Sequence, residues 1–207
     1  MKKVYFVRHG ITESNENNKF QFPDTPLSEK GLKQAEFLAK RFESIHVDVI
    51  ISSPMARAKK TAEIIGKHTG HEIIEDDLFM EVKRPTILMG KNREDAEIQA
   101  IRKEIKNRYT ETSWRHSDEE NFILANERAM NALKFILDRP EQDILIVTHG
   151  EILRLMLAAM TFGNTLTAEI AQKVSHIFAT FNTGITKVEY NDKGWYVLVW
   201  NDHAHLG

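Results

Sequence analysis

The sequence predicts an α/β fold, a three-layer α/β/α sandwich around a mostly parallel central sheet with an antiparallel edge strand. Short β-branched runs at residues 4–7, 47–51 and 144–148 each lead into a segment with helical spacing. Strand-then-helix repeats of this kind build a parallel sheet covered on both faces. Two more runs at 185–189 and 195–199 flank Tyr190, Asn191, Asp192, Lys193 and Gly194, a turn-rich connection that makes a hairpin at the sheet edge. A hydrophobic fraction of 42% and a charged fraction of 28% are those of a chain that packs a core.

The elements follow in order. The first strand runs into Arg8, His9 and Gly10. Ser28, with Gly31 and Gln34, then opens a helix whose inner face carries Leu32, Ala35, Leu38, Ala39 and Phe42. The run at 47–51 leads to Ser52 and Ser53, where Ser53 reads as a helix cap with Pro54 at the first helical position. Residues 93–117 are polar and poor in apolar periodicity, and the stretch 83–117 reads as a small helical insertion or lid over the active site. A helix over 119–137 packs through Phe122, Leu124, Ala125, Ala129, Leu133 and Ile136, and Pro140 marks its end before the strand at 144–148. No repeat or linker interrupts the chain, so residues 1–207 read as a single domain.

Composition excludes several functions. Twenty-eight basic against thirty acidic side chains leave a net charge of −2, with no general positive field to gather nucleic acid or an anionic membrane surface. No apolar stretch is long enough for a signal peptide or a membrane span. The absence of cysteine removes disulfides, thiolate metal sites and cysteine nucleophiles, and it fits a cytoplasmic protein. Trp114, Trp195 and Trp200 are too dispersed to form a stacking surface for bases. His203 and His205 lack an evident third ligand, so neither a metal nor any other cofactor is expected.

Two segments share one form. In VYFVRHG and LIVTHG an apolar strand ends in His followed by Gly, giving His9-Gly10 and His149-Gly150. Ligands of open α/β sheets bind at the carboxyl ends of strands, where helix N-termini also present free amides. A third strand end brings Arg57 into the first turn of the following helix. Taken singly, each histidine is an ordinary rim residue, Arg8 a salt-bridge partner and Arg57 a solvated helix position. Together, Arg8, His9, Arg57 and His149 form a cationic cluster that needs an anion, and phosphoryl transfer places its charge on oxygens that such groups stabilise.

These residues closely resemble the histidine phosphatase superfamily, whose signature the Arg8-His9-Gly10 triplet matches. The resemblance continues through Thr12, Asn15, Asp24, Leu27, Ser28, Gly31, Gln34 and Ala35, then Ser52 to Arg57 with Ala58 and Thr61, then Thr148-His149-Gly150, and on to the terminal segments. It implies that His9 is the nucleophile and that Arg8, Arg57 and His149 form the phosphate pocket. Asn15 and Gly150 would add phosphate contacts, and Glu81 would be the general acid and base. The implied activity is hydrolysis of a small phosphorylated metabolite, a phosphate monoester, through a phosphohistidine. The alternatives are a cofactor-dependent phosphoglycerate mutase and a non-catalytic protein that binds a phosphate ligand. Two departures from the family pattern stand out. Glu81 is followed by Val82, Lys83, Arg84 and Pro85 rather than a glycine-rich stretch, which weakens the mutase reading. Phe22-Pro23 stand where many members carry a glycine before the aspartate matched by Asp24, which alters a backbone phosphate contact there and weakens the role of Asn15. Lys83 and Arg84 are candidates for contact with a second anionic group, although cations in such a loop are more often simply solvated. The oligomeric state is not readable from the chain.

Overall fold

The computed structural model describes all of residues 1–207. Six strands, β1 (Lys2–Arg8), β2 (Val49–Ser52), β3 (Ile73–Glu75), β4 (Asp143–Thr148), β5 (Ile185–Asn191) and β6 (Gly194–Asp202), form one sheet in the order β3-β2-β4-β1-β5-β6. Seven α-helices accompany them: α1 (Glu13–Glu16), α2 (Glu29–Phe42), α3 (Ala56–Thr69), α4 (Ala96–Asn107), α5 (Phe122–Asp138), α6 (Gly150–Phe162) and α7 (Ala168–Ile177). Strands β1 to β4 are parallel, and β5 and β6 add antiparallel at one edge. No helix is long and apolar enough to cross a membrane.

Alternation along the central strands makes the three layers. Val4 and Phe6 of β1, Val49 and Ile51 of β2, and Ile144 and Ile146 of β4 enter one core with α5, α6 and α7. Val7, Ile50, Leu145 and Val147 face the other way, onto α2 and α3. Each such side chain, fully buried, stabilises the fold by roughly 1.5–3 kcal/mol relative to exposure.

The element boundaries correct three expectations, two at helix starts and one at the hairpin. Helix α3 starts at Ala56 with Met55 as its cap residue, so Pro54 lies before the helix, and Ser53 is used elsewhere. Helix α5 begins at Phe122, capped by the Asn121 side chain on the Leu124 amide. Glu119 instead accepts the amides of His116 and Ser117, folding the preceding loop. The hairpin turn is also tighter than expected, with only Asp192 and Lys193 between β5 and β6 and Gly194 at φ +111°. Within 83–117, α4 buries Ile98 against Phe20 and Leu88 in a small cluster of its own, separate from both main cores. Neither α7 nor the short β3 was expected from the sequence.

Candidate active site

The carboxyl ends of β1, β4 and β2 lie side by side, with Arg8 opposite Thr148 and Ser52 opposite Val147. The ladder runs one residue further on each side: the His9 amide donates to Thr148 O at 3.0 Å and the Ser53 amide to Val147 O at 3.0 Å. His9, Ser53 and His149 are thus placed by sheet register, not by loops. Asn182 fixes the next atom, donating from Nδ2 to His9 O at 2.9 Å.

The side chains converge in a buried pocket. His9, Arg57 and His149 retain 2%, 3% and 0% of their surface. The imidazole rings of His9 and His149 lie 5.1 Å apart between centroids. His9 Nδ1 lies 2.7 Å from Gly10 O. A carbonyl only accepts, so Nδ1 carries the hydrogen and Nε2 holds the lone pair. Arg57 donates from Nε to that Nε2 at 3.2 Å and from Nη1 to Phe22 O at 3.0 Å. Arg8 donates from Nη1 to Thr180 O at 2.6 Å. His149 Nε2 lies 2.8 Å from Ser53 Oγ. Two buried polar atoms of this cluster, Arg8 Nε and His149 Nδ1, have no hydrogen-bond partner. Each such orphan costs about 1–3 kcal/mol, which an acceptor-rich ligand would relieve.

Electrostatics keep both histidines neutral. Burial, then the charge of Arg57, then His149 and Arg8 push His9 well below the ordinary histidine value. Burial, then Arg57 and Arg8, do the same to His149. Burial lowers Arg57 to about 10, still fully protonated near neutrality. The Arg8 guanidinium is lowered chiefly by burial, with Glu81 acting to raise it and Arg154 and Arg93 to lower it further.

Glu81 sits at the same helix N-terminus as His149. Its carboxylate accepts the amides of Glu151 at 3.1 and 3.2 Å, Ile152 at 3.0 Å and Val82 at 3.0 Å. Burial favours the protonated acid, but these three amides, assisted by Arg84, outweigh it and hold the group below the usual glutamate range. Three amides and the helix dipole favour the anion. Gly150 is required by contact and not by a special φ: a Cβ there would lie 2.8 Å from Thr180 Oγ1.

Asn15 is placed differently from the others. It belongs to α1, where its Oδ1 accepts from the Thr12 amide at 3.3 Å while its own amide donates to Thr12 Oγ1. Capping therefore occupies its oxygen, and only its NH2 remains for an anion. Lys83 pairs with Asp118 at 3.1 Å and Arg84 with Glu151 at 3.2 Å.

Sequence reasoning missed several residues. Ser53 orients His149 instead of capping α3. Thr180 and Asn182 hold Arg8 and the His9 carbonyl from a loop whose course depends on Thr183 at φ +59°. Arg93, in the insertion, stacks on Phe20 with its guanidinium 4.3 Å from the ring centre. It lies near enough to Arg8 for its charge to lower the Arg8 guanidinium.

A cavity of about 40 Å³ adjoins Glu151, walled by Arg84, Tyr109, Trp114, Phe122 and Ser175. That is room for a few water molecules and not for a substrate body. The one grouping with metal-ligand spacing, His46, Asp48 and Asp143, is at the opposite ends of the strands. His203 and His205 do not join it: His203 Nδ1 meets Asn201 O, and His205 Nε2 meets Thr183 Oγ1.

Comparison with known proteins identifies the family and the fold. The family model described as histidine phosphatase superfamily (branch 1) matches residues 4–203. A protein named probable phosphoglycerate mutase GpmB, from Salmonella arizonae, is 29% identical over 224 residues, covering 100% of this chain and 95% of that protein. The uncharacterized phosphatase PhoE of Bacillus subtilis is 28% identical over 208 residues, covering 100% and 97%. Among solved structures, Bacillus stearothermophilus YhfR superposes with a TM-score of 0.83 at 28% identity, over 100% of both chains. A phosphoserine phosphatase mutant from Entamoeba histolytica, in complex with phosphoserine, gives 0.79 at 23% identity over 100% of both chains, a likeness of fold.

Proposed function

The chain belongs to the histidine phosphatase superfamily, and we propose that it hydrolyses a small phosphate monoester through a phosphohistidine on His9, without a metal. The observation that carries this reading is His9 itself: a buried, neutral imidazole whose Nδ1–H is tied to Gly10 O, leaving the lone pair on Nε2, where Arg57 Nε donates until a phosphate takes that guanidinium over. Fixed cations around it supply the charge that a metal would otherwise bring to the phosphoryl oxygens.

The substrate phosphate binds among Arg8, Arg57 and His149, and with its charge satisfies the orphaned Arg8 Nε. Ser53 accepts the Met55 amide and is free to donate its hydroxyl hydrogen to His149 Nε2. The neutral ring then offers Nδ1–H to a phosphate oxygen. The Nε2 lone pair of His9 attacks phosphorus, the ester P–O bond breaks, and its electron pair leaves on the alcohol oxygen. Positive charge develops on the imidazole ring, and Gly10 O, accepting from Nδ1, stabilises it.

Glu81 supplies the proton to the leaving oxygen. In the free protein it is a carboxylate, but an arriving phosphate dianion adds a like charge that raises its pKa toward the acid form. In the second half, the carboxylate takes a proton from water as the water oxygen attacks phosphorus. The P–N bond breaks, and neutral His9 is restored. Asn15 and Gly150 belong to this reading as phosphate contacts. Arg84 and Arg93, each close enough to Glu81 to interact with its charge, suit a substrate carrying a further anionic group.

The relatives named phosphoglycerate mutase favour a second reading, in which phospho-His9 returns its phosphoryl group to a product hydroxyl instead of water. Phosphate release from p-nitrophenyl phosphate and from a panel of phosphorylated metabolites, with and without EDTA, tests the choice. Turnover insensitive to chelator is expected. No release on any substrate, or bisphosphate-dependent isomerisation faster than hydrolysis, contradicts the proposal.

A further inference from the structure

The outermost strand, β6, is nine residues long and pairs only with β5. Its middle reads Trp195-Tyr196-Val197-Leu198-Val199-Trp200, with no charge and no proline. Tyr196, Val197, Leu198 and Val199 are 42%, 49%, 49% and 38% exposed. A strand lying over a core exposes alternate residues, not four in succession. Register shifts against Lys187 and Val188 break the alternation, so that Trp195 and Trp200, an odd number of residues apart, both pack toward the main core. The intervening residues are left to solvent on a strand whose outer N–H and C=O groups have no partner.

Free edges of soluble proteins are ordinarily short, charged or covered, because an open apolar edge templates pairing. This one has none of those protections. The apolar surface also continues past the strand, since Phe178 packs edge-on against Trp200 at 5.0 Å and Phe181 donates its amide to Asn201 Oδ1. Ile177 and Phe181 are 73% and 55% exposed.

We propose that this edge is a homodimer interface, in which β6 pairs antiparallel with β6 of a second copy about a two-fold axis. A strand edge is complementary to itself in that arrangement, so each protomer supplies what the other lacks. The uncharged middle of the strand brings no repulsion, and the net charge of −2 per chain adds little. Exposed apolar side chains of β6 and residues 177–181 offer on the order of 600 Å² per protomer, near the roughly 800 Å² each partner contributes to a standard interface. Pairing joins the two six-stranded sheets into one and covers the loop that carries Thr180 and Asn182, which hold Arg8 and the His9 carbonyl. The interface thereby braces the phosphate pocket.

Light scattering on the full chain, eluting from a sizing column over a range of loading concentrations, tests this. The expected mass is that of two 23.9 kDa chains, 2 × 23.9 = 47.8 kDa. Val197→Lys and Leu198→Lys, each on an exposed position, should halve it while leaving the far-UV circular dichroism unchanged. A wild-type mass of one chain at every concentration leaves the edge to some other partner and overturns the proposal. So does a two-chain mass retained by both folded variants. Should the variants misfold, hydrogen exchange on the wild type decides: β6 amides protected in the dimer and released on dilution support the interface. Exchange that does not change as the mass falls places the contact elsewhere.

Discussion

A histidine attacks phosphorus only as the neutral imidazole, and His9 is kept neutral by burial, by Arg57, and by His149 and Arg8. The same cations that disfavour its protonation are those that would receive the phosphate, so binding and activation use one set of charges. Glu81 divides the labour with leaving-group chemistry. Glu81→Ala should slow hydrolysis of alkyl phosphates about 10²–10⁴-fold but of p-nitrophenyl phosphate far less, because a general acid matters most when the departing oxygen is basic. Steady-state rates on the two substrate types check this, and equal losses on both would assign the proton to another group. The main site residues were legible because each sits at a strand end or in the first turn after one: Arg8, His9, Arg57 and His149. Glu81 was legible only through family resemblance. Ser53 was misread because a serine before proline looks like a cap, and its bond to His149 joins residues on different strands. Thr180, Asn182 and Arg93 act from loops whose path no local pattern encodes.

At the scale of elements, the pocket depends on how closely α2 approaches the turn after β1. A Cβ on Gly31 would lie 1.9 Å from Ile11 O, and one on Gly10 would lie 2.7 Å from Gly31 O. The two glycines let backbone meet backbone, while Ser28 donates its amide to Ile11 O and Gln34 accepts the Ile11 amide. Gly31→Ala should therefore destabilise the fold by roughly 1–3 kcal/mol through overpacking, and lower activity by displacing the segment that follows His9. Urea titration with activity measured alongside checks it, and unchanged stability would mean that the turn shifts freely. The strands around β1 and the helix α2 were legible because β-branched runs and helical spacing are local signals. The short β3 lacks the length to announce itself. The insertion's α4 packs on Phe20 and Leu88 instead of on a main core, so its apolar periodicity is weak.

For the whole molecule, burying cationic groups has a consequence for pH. His9 and His149 are held well below the ordinary value and His205 at about 4, the last chiefly by burial. In the unfolded chain each returns to about 6.5. Below that pH the unfolded chain binds more protons than the folded one, so stability is complete above about 6.5 and declines as pH falls toward the folded-state values. His68, raised by Glu43 and Glu36, works in the opposite sense but is solvent-screened. Thermal unfolding should thus shift to lower temperature between about pH 7 and pH 5. Added phosphate or vanadate should oppose the shift by pairing with protonated histidines. A melting temperature constant across that interval would mean that these histidines titrate normally in the folded state. The overall architecture was legible because strand-helix alternation admits few alternatives. The open β6 edge was not, since exposure follows from register shifts that only the folded sheet reveals.

The central claim is a covalent bond between His9 Nε2 and phosphorus. Rapid acid-free quench of the protein mixed with a ³²P-labelled phosphate monoester, followed by peptide mapping, measures it most directly. One acid-labile, base-stable label on the peptide containing His9, formed faster than turnover and absent in His9→Ala, is the predicted result. Steady turnover with no label on that peptide, or label retained in His9→Ala, would contradict it.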